Sequence, residues 1–290
     1  EQSARAFQIM MTGGATPAQM AALLVALRIK GESVGEITGA ARAMRAKALP
    51  FAAPENAIDT CGTGGDASGT YNISTAAAIV TAACGVPVVK HGNRSVSSKS
   101  GSADVMRELG VNLDASTERM QQALQECNLC FLMAPNYHKA MRHIAPIRQE
   151  LRLRTLFNLL GPLSNPAGVK RQLLGVYSPH LLQPLAEVLR ALGTEHAWVV
   201  HGDGGLDEIS LTGPTQIAEL KDGSITLREI TPQDARLKPC TMEELKGGDA
   251  MVNAQAIERL LAGHASAYRD IVCLNVAACL LIAGKVPNLP

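Results

Sequence analysis

The stretch AIDTCGTGGDASGTYNISTAAAIVTAACGVPVVKHGNR (residues 57–94) decides how this chain folds. Short apolar runs alternate in it with a small-residue helical run, and the turns between them are polar and rich in glycine. Ala57–Cys61 reads as a strand, Ser74–Ala83 as a helix and Val86–Lys90 as a second strand. Such alternation predicts βαβ units and a mostly parallel sheet. The pattern continues downstream with a helix over Ser102–Leu109 and strands over Leu129–Met133 and Leu173–Tyr177. Ser178-Pro179 reads as the cap of a helix through Leu192, followed by strand Ala197–His201. Lys221-Asp222-Gly223, between Thr215–Leu220 and Ser224–Glu229, signals an antiparallel hairpin. Two helices, 253–262 and 267–283, finish the chain.

The first 48 residues differ in period. Thr16-Pro17 is an N-cap and N1 pair, and Met20, Leu23, Leu24 and Leu27 follow at helical spacing until Gly31. Ser33 and Glu36 form a capping box for a helix whose apolar face is Ile37, Ala40, Ala41 and Met44. Residues 49–56 carry two prolines and no periodicity, so they read as a linker. Residues 137–162 read as helices again. The expected fold class is therefore α/β. A small helical N-terminal domain (1–48, joined by helices from about 137–162) precedes a large domain (57–290) with a mostly parallel central sheet flanked by helices.

Composition narrows the functions. The 290 residues carry 27 basic and 26 acidic side chains, a net charge of +1. Nothing global draws the chain to nucleic acid or an anionic membrane. Aromatics, at 3%, are too scarce for stacking a run of bases. No apolar run reaches the roughly 20 residues that cross a bilayer, and no N-terminal stretch looks like a signal peptide. The seven cysteines are odd in number and mostly lie in apolar surroundings, which points to reduced thiols and a cytoplasmic protein. Cys127 and Cys130 form a C-x-x-C without a second pair, so a helix end followed by a buried strand is expected there.

Three polar loops lead into apolar runs: Cys-Gly-Thr-Gly-Gly-Asp (61–66) continuing to Asn-Ile-Ser-Thr (72–75), Lys-His-Gly-Asn-Arg (90–94), and Ser-Ser-Lys-Ser-Gly-Ser-Ala-Asp (97–104). Glycine lets backbone N–H groups close around an anion, and helix N-termini favour phosphate. One phosphate needs one such loop; three in succession predict a ligand with several phosphates along its length. Asp207-Glu208 follows a glycine-rich loop, and such carboxylates suit Mg²⁺ shared with substrate phosphates. Lys90-His91 reads as a base pair or as anion contacts. Arg148 reads as a surface residue or as a two-pronged carboxylate contact. The chain has no P-loop, no G-x-G-x-x-G and no G-x-S-x-G.

The ordered set Gly-Thr-Gly-Gly-Asp (62–66), Asn-Ile-Ser-Thr (72–75), Lys-His-Gly-Asn-Arg (90–94), Ser-Gly-Ser-Ala-Asp (100–104) and Gly-Leu-Asp-Glu-Ile-Ser (205–210) resembles the anthranilate phosphoribosyltransferase family. Asn-Leu-Leu-Gly-Pro-Leu-Ser-Asn-Pro (158–166) and residues 17–32 resemble it too, so the likeness spans nearly the whole chain. One departure is Asp203-Gly204-Gly205, before Leu206. Members usually carry another helical turn or two at each end, so this chain reads as trimmed or as lacking terminal segments.

The resemblance implies transfer of phosphoribose from 5-phosphoribosyl 1-diphosphate to the amine of anthranilate, in tryptophan biosynthesis. It implies a homodimer built through the helical domain, in a fold shared with pyrimidine nucleoside phosphorylases. By motif, Gly62, Gly65, Asp66 and Thr70 line the diphosphate substrate. Asn72, Ile73, Ser74 and Thr75 hold its phosphates. Lys90, His91, Gly92, Asn93, Arg94, Ser95, Val96, Ser97, Ser98 and Ser102 surround it. Ser74, Asp207 and Glu208 take two Mg²⁺ ions. Anthranilate meets Gly62, Asn93 and Arg148, with His91, His138 and Pro162 nearby. Arg148, His91 and Lys90 are the candidate catalytic residues. A pyrimidine nucleoside phosphorylase is the rival enzyme, disfavoured because that reaction needs no pyrophosphate-bound magnesium. A non-catalytic nucleic-acid-binding paralogue is the other rival, disfavoured by the near-neutral charge.

Overall fold

The computed structural model describes residues 1–66, 68–94 and 100–289. The chain opens with three helices: α1 (Gln2–Met11), α2 (Pro17–Lys30) and α3 (Val34–Lys47). Both expected capping boxes form. Thr16 Oγ1 accepts from Gln19 N, and Ser33 Oγ accepts from Glu36 N, with the Gln19 and Glu36 side chains bonding back to the cap N–H groups. Gly31 ends α2 at φ +84°.

Strand β1 (Ile58–Gly62), helix α4 (Ile73–Ala83) and strand β2 (Val88–Gly92) follow, then α5 (Ser102–Glu108), α6 (Thr117–Cys127) and β3 (Leu129–Met133). Short helices α7 (Ala134–Tyr137), α8 (Ala145–Leu151) and α9 (Phe157–Leu163) lead to β4 (Arg171–Gly175). Then come α10 (Leu182–Ala191), β5 (His196–Gly202), the hairpin β6 (Thr215–Lys221) and β7 (Ser224–Ile230), and helices α11 (Ala250–Leu261) and α12 (Ala267–Ile282).

Among the described residues, seven strands form one sheet in the order β3-β2-β1-β4-β5-β6-β7. The first five are parallel, and β6 and β7 add antiparallel pairs at one edge. The hairpin turn has φ of +49° at Asp222 and +79° at Gly223, the conformation that matches the strands' twist. The winding reverses between β1 and β4, so a ligand crevice opens beyond their carboxyl ends.

Side-chain alternation along the strands builds a core on each face. Leu174, Ala197 and Val199 face a core that continues without a break into the helices, through Leu160, Phe157, Phe7, Met10 and Leu24. Leu173, Trp198 and Val200 face the other, made with α4, α11 and α12 through Ala76, Ile257 and Ile271.

Several expectations need correcting. Strands β1, β2 and β4 are displaced by one or two residues from the sequence reading. Residues 137–162 form broken short helices, because Pro146 starts α8 afresh and Arg152, at φ +49°, ends it. Ser178 makes no side-chain cap; a 3₁₀ turn at Pro179–Leu181 precedes α10. Residues 49–56 are irregular but tied down: Leu49 N donates to Tyr137 O at 2.9 Å, and Phe51 is buried edge-on to Tyr137. Cys127 does end a helix, and Cys130 does lie in a buried strand.

Candidate active site

Glycine at the ends of β1 and β4 creates the crevice. A Cβ on Gly62 would overlap the Asp207 carboxylate, and one on Gly175 would overlap the Asp207 backbone. The loop after β5 therefore lies directly across both strand ends. Asp207 Oδ2 accepts from Gly64 N at 2.7 Å, and Glu208 Oε1 accepts from Ser74 N at 3.1 Å. One acidic pair thus ties the first glycine-rich loop to the start of α4.

The first loop is braced from its far side as well. Thr63 N donates to Gly175 O at 2.9 Å, and Thr63 Oγ1 accepts from Tyr177 N at 3.3 Å. Arg154 donates to Gly65 O at 2.6 Å while its guanidinium stacks 4.5 Å from the Tyr177 ring centroid. Asp66 accepts from Ser68 N, and Thr70 pairs with Lys246. Asn93 O accepts from Ala103 N at 3.2 Å and Ser102 Oγ at 3.4 Å, joining the second loop to the third. Ser95, Val96, Ser97 and Ser98, expected to surround the substrate, lie outside the described residues.

Lys90 and His91 occupy successive positions on β2, so their side chains point to opposite faces and do not act as a pair. Lys90 is 2% exposed; its Nζ donates to Thr60 O at 2.6 Å and lies 3.4 Å from Ser74 Oγ. It sets positive charge beneath Ser74 and Glu208. His91 faces α9, with Nδ1 3.1 Å from Gly161 O. A carbonyl only accepts, so Nδ1 carries the proton and Nε2 the lone pair. The His91 and His138 rings stand 5.0 Å apart, and neither Nε2 has a partner among the described residues. Burial pushes His91 down to about 3 and His138 to about 4, so both are neutral at physiological pH.

Arg148 stands half-buried on α8, with its guanidinium carbon 5.6 Å from the Phe157 ring centroid. Burial lowers its pKa, and guanidinium remains charged at neutral pH. Pro162, inside α9, turns its carbonyl to Gln172 Nε2 at 2.7 Å.

Residues 54–290 match a glycosyl transferase family α/β domain, and residues 1–48 match the helical bundle domain of the same family. An anthranilate phosphoribosyltransferase of Azospirillum brasilense is 60% identical over 99% of this chain and 81% of its own length. One from Paramagnetospirillum magneticum is 58% identical over 99% and 83%. This chain belongs to the anthranilate phosphoribosyltransferase family.

Solved structures agree. The family's enzyme from Thermus thermophilus superposes with a TM-score of 0.94 at 45% identity, over 99% of this chain and 86% of that one. The Saccharomyces cerevisiae enzyme in complex with PRPP and Mg superposes at 0.88 with 26% identity, over 97% and 83%.

The residues of the crevice suit magnesium. Asp207, Glu208, Asp66 and Ser74 offer only oxygen, the donor that ion prefers. Burial in the cleft raises the Asp207 pKa, and the facing Asp66 carboxylate raises it further. Glu208 is raised by burial and then by Asp207, with Lys90 opposing. A cation held there would relieve this repulsion. Among the described residues no three His, Cys, Asp or Glu side chains converge into a metal-binding group; magnesium is commonly held by one or two carboxylates together with waters and substrate phosphates.

Sequence reading missed two residues that hold the site in shape. Asp59, fully buried in β1, accepts from Asn165 Nδ2 at 2.9 Å and from His91 N at 3.3 Å. Its pKa rises to about 6 through burial, opposed first by Lys90. A carboxylate inside an otherwise apolar strand was the available signal. Arg154 was the other, and nothing in its local pattern marks it.

Proposed function

We propose that this protein transfers the phosphoribosyl group of 5-phosphoribosyl 1-diphosphate to the amine of anthranilate, releasing pyrophosphate, as a step of tryptophan biosynthesis. The observation that carries this reading is the acidic pair bonded to the first glycine-rich loop and to the start of α4, Asp207 to Gly64 and Glu208 to Ser74. Its oxygens meet a diphosphate and its counter-ions where three backbone segments converge.

Gly62, Gly65, Asp66 and Thr70 line the donor, Asn72 through Thr75 hold its phosphates, and Lys90 through Arg94 with Ser102 enclose it. Ser74, Asp207 and Glu208 hold two magnesium ions. When bound, these supply Lewis-acid stabilisation of the charge that builds on the departing pyrophosphate. Lys90 adds a fixed positive charge below the same oxygens. Anthranilate's amine is a weak nucleophile, so bond breaking to the leaving group runs ahead of attack. Arg148 holds the anthranilate carboxylate and aims the amine, and Gly62, Asn93, His138 and Pro162 shape the acceptor space. Positioning of this kind is worth up to about 7–11 kcal/mol in favourable cases. His91, buried and neutral, lines the site and is too weak a base to take the amine's proton at pH 7.

The exposed Ile9 of α1 and Ile29 of α2 support dimerisation through the helical domain. The seven free thiols support a cytoplasmic setting. The test is loss of anthranilate fluorescence. The reading expects consumption only when both 5-phosphoribosyl 1-diphosphate and Mg²⁺ are present. Consumption without the sugar phosphate, or none with both, overturns it.

A further inference from the structure

We propose that Asn253 is a positioning residue that fixes which way round the Asn72 amide faces the phosphate pocket. The proposal rests on the reading of Asn72 as a donor-site residue. Asn253 sits on α11 and is 1% exposed. Its Oδ1 accepts from Gly248 N at 2.8 Å, and its Nδ2 donates to Asn72 Oδ1 at 2.8 Å.

The fixed end of this chain is the Gly248 N–H, which can only donate. The Asn253 atom facing it must be oxygen, so the atom facing Asn72 must be the NH₂. Asn72 must then meet Asn253 with its own oxygen, which also lies 3.5 Å from Ser100 Oγ, and its NH₂ is left toward the third loop. There its nearest described acceptor is Ser100 O, at 3.5 Å. That is long for an N–H···O bond, so the NH₂ keeps donor capacity for a phosphate oxygen. The reverse orientation would set the amide's lone pairs against an anion.

Nothing local enforces this choice. Asn72 is the N-cap residue of α4, yet its side chain makes no capping bond to that helix. The backbone at Asn72 is held from the same distant part of the chain. Tyr268 Oη donates to Asn72 O at 3.2 Å, and the Tyr268 ring lies 4.5 Å from that of Tyr71. The last two helices therefore set both the place and the polarity of one phosphate contact.

The experiment measures steady-state kinetics and melting temperature for Asn253→Asp, Asn253→Ala, Asn72→Ala and the double variant Asn72→Ala/Asn253→Asp. In Asn253→Asp the carboxylate still accepts from Gly248 N–H but draws the Asn72 NH₂ toward itself. The KM for 5-phosphoribosyl 1-diphosphate should rise about tenfold, while the anthranilate KM stays within about twofold. Asn253→Ala should melt lower yet raise that KM only about threefold. Weaker donor binding in the better-preserved fold is an order that a purely structural role would not give. In the Asn72→Ala background, Asn253→Asp should change the KM by less than about twofold. Should the aspartate variant not fold, Asn253→Ala carries the same comparison with and without Asn72.

A donor KM that follows melting temperature across the variants, or is unchanged in Asn253→Asp, overturns the proposal. An unchanged donor KM in Asn72→Ala itself overturns the underlying reading of Asn72. A raised KM there, with none in Asn253→Asp, removes only the relay.

Discussion

On the proposed reading, Arg148 and Glu208 act on opposite partners of the transfer, so their loss should read differently. If Arg148 forks onto the anthranilate carboxylate as proposed, Arg148→Ala should raise the anthranilate KM at least about tenfold while the donor KM stays within about twofold. Equal rises in both, or none for anthranilate, would remove its aiming role. His138 gives a pH signature. Its folded pKa of about 4 lies below the ordinary value of 6.5, so the unfolded chain takes up the proton first. Stability is therefore full above about pH 6.5 and falls toward pH 4, by about 1.4 kcal/mol per unit for this one group. Relative to His138→Asn, the wild type should lose stability over that window in chemical melts at pH 7, 6 and 5. A constant difference would show that His138 is not buried neutral. Residues of the glycine-rich loops stood out in the sequence because their polar chemistry is contiguous there. Asp59, Arg154 and Asn253 did not, because each acts on a partner between 32 and 181 residues away.

Elements were legible where a local signal sets them. The capping boxes of α2 and α3 and the Asp222-Gly223 turn formed as read. Ser33→Ala should cost about 1 kcal/mol in unfolding free energy and leave both KM values unchanged. Strand ends were less legible, because sheet pairing rather than propensity fixes where β1 and β4 stop. Their terminal glycines, Gly62 and Gly175, have a role that only the crossing loop reveals. Gly175→Ala drives a methyl into the Asp207 backbone and should displace the acidic pair. The Mg²⁺ concentration for half-maximal activity should rise at least about tenfold, read by titrating the anthranilate assay. An unchanged Mg²⁺ requirement would detach that loop from the metal.

At the scale of the whole molecule, the core on one face of the sheet runs on into the helical segment. Phe157 joins them: its ring lies 5.6 Å from that of Phe7 and carries the Arg148 guanidinium. Phe157→Ala should cost about 3–5 kcal/mol of stability and also raise the anthranilate KM, because Arg148 loses its seat. The helical and sheet-bearing parts were legible from the change in hydrophobic period near residue 57; their shared core was not, since it joins faces that only packing brings together. The central claim is that the acidic pair and the glycine-rich loops form one magnesium-dependent site for a sugar diphosphate. Titration calorimetry of 5-phosphoribosyl 1-diphosphate tests it directly, on the wild type and on Asp207→Asn/Glu208→Gln. The account predicts tight binding by the wild type with Mg²⁺, little without it, and little by the double variant in either case. Equal affinity in the double variant and the wild type, with Mg²⁺ present, would contradict it.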